Sequence, residues 1–529
     1  MNGIIQAGPT LGGLTLDVLR RYPDRTAFTW DGGTLTYAGA SDLVGRLQSV
    51  FAAHGLRRGH CMALLTGNRV ESWCASIAAQ ASGMAITWLH QLASLEDHEY
   101  QLKDAEADAL LVDTYRFSDR GGELAARVDR LSQVYTLSPR EFGVDLVSAA
   151  RNVGTASPWS IFEPGDVATI NYTGGTTGHP KGAVRLNSPS PSLSYSDVLA
   201  DFEIPMTPRY LAVAPMSHAS GWKIMPTLMR GGSVHLLDGF SPDRVLSAIN
   251  RERPNFTLLV PSMIYGLLEE LDTQKADVSS LELLLYGAAS ISPDRLQEGI
   301  DRIGPVFAQM YGQTECYPIT YLRRDDHDLN QPDRLRSCGR PVSTTAVALL
   351  DKDGHEVTDG EVGEICVRNR TAMRWYKNLP ELTAETFRHG WLHTGDMGRM
   401  DERGYLYIVD RLKDMIITSG SNVFSRGVED VLTDHAAVTQ AVVFGTPDKK
   451  VGEVVNAAVI LREGVEVDAD ELRRYVRDRK GELQAPQHIH FVKELPLTGL
   501  GKVDKQALRL RLTDKSSVWA DGASSDAAS

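Results

Sequence analysis

Residues 172–183, YTGGTTGHPKGA, have the composition of a phosphate-binding loop. The stretch holds four glycines, three threonines and one lysine. Glycines allow backbone N–H groups to converge on an anion because no Cβ stands in the way, and hydroxyl donors and a lysine charge add to them. The alternative is a Gly/Thr turn that binds nothing. The predicted phosphate-binding residues are Thr173, Gly174, Gly175, Thr176, Thr177, Gly178 and Lys181.

Two common nucleotide motifs do not fit this loop. A P-loop has its lysine directly after the last glycine and a hydroxyl residue after the lysine. Here His179 and Pro180 separate the last glycine from the lysine, and Gly182 follows it. The dinucleotide fingerprint G-x-G-x-x-G does not occur in the loop either. The stretch therefore predicts phosphate binding of another kind.

Six further motifs accompany the loop: PMSHASG (215–221), YGAAS (286–290), YGQTE (311–315), HTGD (393–396), DRLKDMI (410–416) and PLTGLGK (496–502). Their order and spacing resemble the adenylate-forming superfamily of acyl-CoA synthetases, aryl-CoA ligases, peptide-synthetase adenylation domains and firefly luciferases. The resemblance runs from about residue 12 to about residue 512. It implies an AMP-forming acid–thiol ligase. ATP and Mg²⁺ would activate a carboxylic acid as its acyl-AMP with release of pyrophosphate, and coenzyme A would then accept the acyl group as a thioester.

The resemblance also implies roles in nucleotide binding. The glycine loop would hold the β- and γ-phosphates, and Thr314 would contact the α-phosphate. Glu315 would ligate Mg²⁺, since a carboxylate together with phosphate oxygens is a usual way to hold this ion. The remaining assignments are Gly287, Ala288 and Ala289 on one face of the adenine, Tyr311 and Gly312 on the other, and Asp396 and Arg411 at the ribose.

Catalysis is implied for a lysine near the C-terminus. Lys502, at the end of the turn TGLGK, would bridge the substrate carboxylate and the α-phosphate in the first half-reaction, where alignment and charge neutralisation are needed. With Thr314 and His218 it makes up the predicted catalytic set, and His218 resembles the family's gate between the acyl pocket and the thiol channel. Lys413 would be the hinge about which the C-terminal lid rotates between half-reactions. The thiol-side loop would contain Ser419 and Gly420.

The acyl pocket has six candidate residues: Trp222, Lys223, Met225, Met263, Tyr286 and Tyr317. For the apolar members, packing in the core is an open alternative. Lys223 is harder to explain by packing, because a charge beside Trp222 could pair with a polar group of the substrate. The identity of the carboxylic acid does not follow from the sequence.

Several positions depart from the pattern of the family. Gly174 stands where serine is usual, and prolines follow the loop at 188–191 where relatives often begin a helix. Ser425 and Gly427 stand where many relatives have proline and glutamate, ahead of Glu429. The alternative is therefore an acyl-AMP ligase that passes its adenylate to a carrier-protein pantetheine or to a separate acyltransferase.

Three other classes of protein are alternatives to a ligase. A luciferase-type oxygenase shares the motifs and stays open. A catalytically inactive binding protein is disfavoured because the family's functional side chains stand in place, and a kinase is disfavoured because its signature loops are missing. The side chains in question are Glu315, Asp396, Arg411 and Lys502.

The elements that carry these motifs alternate between short apolar runs and helical patterns. Continuous apolar strands separated by helices are typical of parallel sheets covered on both faces. The predicted strands are 62–66, 109–113, 167–173, 211–215, 256–260 and 281–287, and in the C-terminal part 441–445, 455–461 and 488–492. The stretch 74–89 is predicted as a buried helix, another helix follows Asp243, and a third starts near Asp470.

We therefore predict an α/β protein with a large N-terminal body of several subdomains with parallel-type sheets and a small, mobile α+β C-terminal lid. The predicted bounds are 1–409 for the ATP- and acyl-binding body, 410–413 for the hinge, 414–513 for the lid and 514–529 for a disordered tail.

Composition sets limits on partners and location. The formal net charge of −13 over 529 residues, without a basic stretch, argues against nucleic-acid binding. The five cysteines have no CxxC spacing and predict neither a disulfide framework nor a zinc site, which favours a reducing cytoplasm. No secretory signal and no membrane span is expected. The predicted partner is a small-molecule carboxylic acid, and a homodimer stays open.

Overall fold

The computed structural model describes residues 10–161, 163, 165–173, 179–187, 190–358, 360–419, 421–448, 450–462, 464–497 and 503–513. Several predicted features lie outside these residues. They are Gly174, Gly175, Thr176, Thr177 and Gly178 of the glycine loop, Gly420 of the thiol-side loop, Lys502, and the tail 514–529.

A large, mostly parallel sheet forms one half of the body. Its strands are Thr26–Trp30 (β1), Gly33–Thr36 (β2), Arg209–Ala212 (β10), Ser233–Leu236 (β11), Phe256–Leu259 (β12), Leu283–Gly287 (β13), Phe307–Tyr311 (β14), Thr320–Leu322 (β15) and Arg340–Pro341 (β16), with labels in chain order. The spatial order is β16-β15-β14-β13-β12-β10-β11-β1-β2. The central strands β14, β13, β12, β10, β11 and β1 pair in parallel. Strands β2, β15 and β16 pair antiparallel at the edges.

A second sheet carries the glycine loop. Its strands are Cys61–Leu65 (β3), Ala85–Trp88 (β4), Ala109–Val112 (β5), Gln133–Thr136 (β6), Val144–Asp145 (β7), Val167–Tyr172 (β8), Gly182–Leu186 (β9) and Trp375–Tyr376 (β19). They are ordered β19-β9-β8-β4-β3-β5-β6-β7. Every residue of β3 and β5 is buried, as expected for parallel strands covered on both faces.

A smaller antiparallel sheet completes the body and leads to the C-terminal part. It contains Ala346–Leu350 (β17), Gly363–Arg368 (β18), Leu392–Met400 (β20) and Leu406–Arg411 (β21), in that spatial order. The following strand, Ile416–Thr418 (β22), already belongs to another sheet. The change of sheet thus falls between Arg411 and Ile416, next to the predicted hinge 410–413; the domain bounds themselves stay a prediction.

Helices cover the faces of the large sheets. They are Leu11–Arg21 (α1), Tyr37–Ala53 (α2), Val70–Ala81 (α3), Leu95–Asp104 (α4), Thr114–Arg127 (α5), Leu146–Asn152 (α6), Ser190–Asp201 (α7), Ile224–Met229 (α8), Pro242–Glu252 (α9), Pro261–Gln274 (α10), Pro293–Ile303 (α11) and Pro380–Thr386 (α12). Alternate residues of β13 face different helical layers. Leu283 and Leu285 join the core with α1 and α3, whereas Leu284 and Tyr286 join the core with α9 and α10.

The C-terminal part is a compact α+β unit. Its sheet contains β22 with Ser421–Val423 (β23), Val438–Asp448 (β24), Gly452–Leu461 (β25) and His488–Phe491 (β26), and its helices are Ser425–Thr433 (α13), Ala469–Lys480 (α14) and Lys505–Thr513 (α15). Val428 and Leu432 of α13 pack with Leu472 and Val476 of α14 in one core. The predicted strands and the helix near Asp470 are all present.

One prediction about secondary structure is wrong. The stretch 74–89 is a buried helix only as far as Ala81, where α3 ends; β4 then starts at Ala85. Gly83, with φ of 75°, turns the chain between the two elements. Among the described helices, none combines the length and the apolar character that crossing a bilayer requires.

Candidate active site

The strands that flank the glycine loop in the chain, β8 and β9, form an antiparallel pair in the second sheet. Strand β8 ends at Tyr172, which lies opposite Gly182, the first residue of β9. The backbone N–H of Thr173 donates to the Lys181 carbonyl at 3.0 Å. The two described ends of the predicted phosphate loop, Thr173 and Lys181, are therefore held side by side at the end of this strand pair.

Tyr376 links the loop lysine to the predicted metal ligand. Strand β19 pairs with β9 so that Tyr376 lies opposite Ala183. Its ring centre is 5.7 Å from Lys181 Nζ, and its hydroxyl donates to Glu315 Oε1 at 2.5 Å. Burial and the Glu315 charge raise the pKa of Tyr376. The structure thus brings Lys181 and Glu315 to the same place through a tyrosine that the sequence motifs did not indicate.

The predicted adenine and ribose residues meet at one carboxylate. The buried Asp396 accepts a hydrogen bond on Oδ2 from Tyr311 Oη at 2.7 Å. Gln313 Nε2 donates to the same oxygen at 2.7 Å, and Arg411 Nε lies 3.4 Å from Oδ1. Asp396 and Arg411 are also directly opposite each other on β20 and β21. Burial, followed by the Asp396 charge, raises the pKa of Tyr311. Gln313 lies inside the motif YGQTE but was not assigned a role.

A buried network positions the segment that contains Asp396. Glu364 Oε1 accepts the Gly395 N–H at 3.1 Å, and its Oε2 lies 2.7 Å from His393 Nδ1. Thr394 Oγ1 donates to the Ile365 carbonyl at 2.7 Å. Glu364 and Ile365 of β18 therefore fix the residues of β20 that directly precede Asp396.

The residues predicted beside the adenine lie where β13 ends. A Cβ on Gly287 would stand 2.4 Å from the Met310 carbonyl of the adjacent strand β14, so glycine is needed here for strand packing. Ala288 and Ala289 are exposed, and Ala288 adopts a left-handed φ of 66°. A Cβ on Gly312 would meet Tyr317 Cδ2 at 2.7 Å. The small residues thus lie at the ends of two adjacent strands, Gly287 to Ala289 at the end of β13 and Gly312 after β14, where glycine is needed for close packing.

Thr314 is held by a buried arginine that the sequence reasoning missed. Arg185 Nη2 donates to the Thr314 carbonyl at 2.5 Å, and Nε donates to the Thr371 carbonyl at 3.4 Å. The guanidinium carbon lies 5.9 Å from the Trp222 ring centre. Burial lowers the pKa of Arg185. Arg185 thereby joins the predicted α-phosphate residue to the predicted acyl pocket.

His218 contacts a second histidine. Its Nδ1 is 2.7 Å from Ser217 Oγ, and its ring centre is 4.6 Å from the ring of His90 in an edge-to-face arrangement. His90 follows strand β4 closely in the chain. The predicted gate therefore lies between the two large sheets of the body.

The structure groups most, but not all, of the acyl-pocket candidates. Trp222 and Tyr317 are 6.0 Å apart between ring centres, and Lys223 Nζ donates to Tyr317 Oη. The buried Met225 accepts from Thr15 Oγ1 on its sulfur at 3.4 Å, and Met263 packs between both cores of the large sheet. Tyr286 is separate, because its ring lies in the core on the other face of that sheet and its hydroxyl is 3.0 Å from His327 Nε2.

The hinge region contains a second network. Asp410 is buried in β21 and accepts two hydrogen bonds from Ser425, one from the backbone N–H and one from Oγ at 3.1 Å. Lys505 Nζ lies 2.8 Å from both Ser425 Oγ and Glu429 Oε1. Burial raises the pKa of Asp410. A proline at position 425 has no N–H to donate, so this departure from the family pattern creates a contact between body and lid.

Lys413 of the predicted hinge and Ser419 of the predicted thiol-side loop follow Asp410 within ten residues of the chain. Burial, followed by the charge of Arg411, lowers the pKa of Lys413, the predicted hinge lysine. Ser419 has a left-handed φ of 50°, and its N–H donates to the Val451 carbonyl at 2.7 Å.

Comparison with known proteins agrees with this geometry. The sequence model of the AMP-binding enzyme family matches residues 17–377, and that of the AMP-binding enzyme C-terminal domain matches residues 427–502. A medium/long-chain-fatty-acid–CoA ligase, FadD8, of Mycobacterium tuberculosis is 43% identical over 96% of this chain and 91% of its own length. A feruloyl-CoA synthase of an Amycolatopsis species is 34% identical, over 95% and 99%.

Two solved structures have the same architecture as this chain. The amide bond synthetase McbA from Marinactinospora thermotolerans superposes with a TM-score of 0.86 at 33% identity, covering 94% of this chain and 99% of that one. ATP-bound MatB from Rhodopseudomonas palustris gives 0.85 at 27% identity, covering 95% and 99%. The predicted fold class and the family resemblance that the motifs indicate are thus confirmed. The chain belongs to the AMP-binding enzyme family, within the adenylate-forming superfamily.

Proposed function

We propose that the chain, an AMP-forming acid–thiol ligase, activates a carboxylic acid with a sizeable apolar body and transfers it to coenzyme A. The reaction type agrees with the CoA ligases among its relatives, whose names include ligases for medium- and long-chain fatty acids, feruloyl-CoA and indoleacetate. The observation that carries the proposal is the convergence of Tyr311, Gln313 and Arg411 on the Asp396 carboxylate, since three separate motifs, YGQTE, HTGD and DRLKDMI, supply these four residues.

ATP would occupy the space between the three sheets of the body. Lys181 and the glycine loop would bind the β- and γ-phosphates, and Tyr311 would stack on the adenine opposite the turn at Gly287. Asp396 and Arg411 would receive the ribose hydroxyls, because an ionised carboxylate accepts and a guanidinium donates. The triphosphate would also offset the burial and the positive neighbours, Arg411 first, that lower the pKa of Lys413.

Mg²⁺ fits the surroundings of Glu315. Tyr376 donates to one carboxylate oxygen and so orients the group, and the half-buried Glu315 lies in the same cluster as the loop lysine. A single carboxylate with phosphate oxygens is a donor set that suits Mg²⁺. When bound, the ion would neutralise charge on the phosphates; Tyr376 and Met373, whose N–H donates to the Glu315 carbonyl at 2.7 Å, keep the ligand in place.

The substrate carboxylate would lie next to Thr314, with Lys502 reaching in from the C-terminal part. Attack of a carboxylate oxygen on the α-phosphorus forms the acyl-phosphate bond and breaks the bond to pyrophosphate. The residues align the two anions and neutralise charge; no general base is needed. Rotation about Lys413 would then withdraw Lys502 and bring the loop at Ser419 towards the thiol, with His218 at the passage.

Pyrophosphate release tests the proposal. Purified protein with ATP and Mg²⁺ would be incubated with a panel of carboxylic acids, with and without coenzyme A. We expect acid-dependent pyrophosphate from at least one acid, and acyl-CoA only when the thiol is present. Lys502→Ala should lower the rate of adenylation roughly 100- to 1000-fold, whereas the exposed Lys493→Ala is a matched control. Acid-independent ATP consumption, or ADP as the product, would contradict the proposal.

A second candidate concerns the acceptor. The similarity to an amide bond synthetase at 33% identity favours an amine as an alternative nucleophile, and a carrier-protein pantetheine is the thiol alternative to coenzyme A. Competition among coenzyme A, pantetheine-loaded carrier protein and simple amines for preformed acyl-AMP decides among them. Ser425 no longer counts against coenzyme A, because its hydrogen bonds to Asp410 give it a role at the hinge.

We place the reaction in the cytoplasm, where ATP and coenzyme A are both available. All five cysteines are buried and free, which agrees with a reducing compartment. A homodimer stays a prediction; light scattering at several protein concentrations tests it.

A further inference from the structure

Lys223 is a fully buried lysine without an acidic partner. Its relative exposure is 0%, and it ends the short 3₁₀ turn Gly221–Lys223 in front of α8. Among the residues that the structure describes, no carboxylate forms an ion pair with its Nζ, and burial alone lowers its pKa to about 7. Buried lysines are normally paired, because an isolated buried charge is costly.

The described surroundings of Nζ offer fewer hydrogen-bond acceptors than an ammonium has donors. Tyr317 Oη accepts one N–H, and the ring centres of Tyr317 and Phe202 lie 4.7 and 5.5 Å away. Tyr317 directs its own hydrogen to Met310 Sδ at 3.1 Å, so its oxygen lone pairs are free to face the lysine. An ammonium has three donors. Aromatic faces attract the charge but do not accept the remaining hydrogens as an oxygen would.

Contacts connect Lys223 to the reacting end of the site. Arg185 touches the Thr314 carbonyl and lies over Trp222, Trp222 is next to Tyr317, and Tyr317 holds Lys223. Thr314 and Lys223 are therefore separated by aromatic side chains that were predicted to line the acyl pocket. Lys223 Nζ stands at the end of this series of contacts, away from Thr314.

We propose that Lys223 and Tyr317 form a specificity-determining pair that binds an oxygen acceptor, a carboxylate or a phenol, at the end of the substrate acid remote from the reacting carboxylate. The inference rests on the proposed function and deepens it by naming a class of acid. A bound oxygen supplies the acceptor and, if ionised, the counter-charge that the described protein groups do not. An acid with a plain hydrocarbon end leaves the buried amine unpaired, and sites of this kind discriminate strongly against such analogues.

Given the titratable groups around it, Lys223 is the group whose protonation should change when a substrate oxygen binds. Tyr317 has a pKa raised well above its ordinary range by burial, followed by Tyr210 and Tyr321. Glu203, an acid of this part of the core, accepts from Tyr321 Oη at 3.3 Å and pairs with Arg324, and the buried Asp197 is a second acid nearby in the chain. At pH 8 the amine of Lys223 is largely neutral. A carboxylate that binds beside it draws a proton from the buffer, whereas a phenol brings its own.

Paired acids test the proposal by kinetics. Pyrophosphate release would be measured with heptanoate against pimelate, and with phenylpropanoate against its para-hydroxy derivative. We expect the wild type to prefer one oxygenated member roughly 10- to 100-fold in kcat/KM. Lys223→Met should remove that preference by lowering kcat/KM for the oxygenated acid only. Thr227→Val, which removes a buried hydroxyl bonded to the Lys223 carbonyl at 2.8 Å, is the control for disturbance of α8 and should keep the preference.

Two kinetic results would overturn the proposal: equal rates with both members of each pair, or an equal loss on both members in Lys223→Met. Absence of pyrophosphate from every acid would refute the proposed function instead. In that case calorimetric binding of the same acids at pH 8, in buffers of different ionisation enthalpy, decides the inference. Proton uptake with pimelate that Lys223→Met abolishes supports a carboxylate partner, and preferred binding of the phenol without uptake supports a phenol. No preference for either oxygenated acid overturns it.

Discussion

Replacing Lys223 by methionine should stabilise the protein at low pH and do so less as the pH rises. Burial lowers the pKa of this lysine from 10.5 to about 7. At about 1.4 kcal/mol for each pH unit, this difference corresponds to roughly 5 kcal/mol of penalty in the free energy of folding. Methionine is apolar, unbranched and adaptable, so it should fill the site without the charge.

The sign of the pH dependence follows from proton linkage. Below pH 7 the lysine is protonated in both states, so the folded wild type carries the whole penalty. Between pH 7 and 10.5 the folded amine loses its proton while the unfolded chain keeps its own, and the wild type therefore gains stability with rising pH. The free energy of unfolding of Lys223→Met should exceed that of the wild type by roughly 5 kcal/mol at pH 6 and by about 2 kcal/mol at pH 9. The lost hydrogen bond to Tyr317 should reduce this difference by about 1 kcal/mol at every pH.

Urea unfolding followed by tryptophan fluorescence at pH 6, 7, 8 and 9 measures this difference. Thr227→Val provides the control, because it removes a buried hydroxyl of the same helix and should cost a similar amount at every pH. A difference between wild type and Lys223→Met that does not change with pH would refute the reasoning, since the lysine would then keep its ordinary pKa in the folded state.

Three further changes test other contacts of the site. Tyr311→Phe removes the hydroxyl that donates to Asp396, so the KM for ATP should rise roughly 10-fold with little change in kcat, as steady-state kinetics would reveal; an unchanged KM contradicts the shared adenine–ribose site. Glu315→Gln should raise the Mg²⁺ concentration needed for half-maximal pyrophosphate release, and an unchanged requirement would remove Glu315 as the ligand. Ser425→Pro suits the start of a helix but removes the N–H that donates to Asp410. It should lower the free energy of unfolding in urea by about 1–3 kcal/mol, more than Ser425→Ala does. A larger loss in Ser425→Ala would show that this N–H contributes little to stability.

The fold could be predicted from sequence where burial dictates the residue types. Strands such as β3 and β5 are continuous apolar runs because both faces are covered, and such runs are visible without a structure. The boundary inside 74–89 was missed because an Ala- and Ser-rich buried helix has no polar face, so its pattern merges with that of the strand that follows. Gly83 was the available signal for the turn.

The candidate site could be predicted only where its residues lie in motifs. Tyr376 and Arg185 could not be predicted, because their roles arise from contacts between distant parts of the chain. The pairing of β19 with β9, for example, does not follow from either segment alone. Tyr286 was assigned with its motif YGAAS, but alternation along β13 turns its side chain to the other face of the sheet. The loss of proline at position 425 was visible, whereas the Asp410 carboxylate that uses the freed N–H was not.

The contact between Asp410 and Ser425 acts as a latch on the proposed rotation of the lid. The backbone of Asp410 is fixed in the body by pairing with Met397, while its side chain holds the first residue of α13 in the C-terminal part. Arg336 of the body adds weaker pairs with Asp430 and Asp434, at 3.8 and 3.5 Å. The proposed rotation of the predicted lid about Lys413 would have to break these contacts. Its motion should therefore be a jump between two discrete orientations over an activation barrier, and the rate of that jump would limit how quickly one half-reaction follows the other.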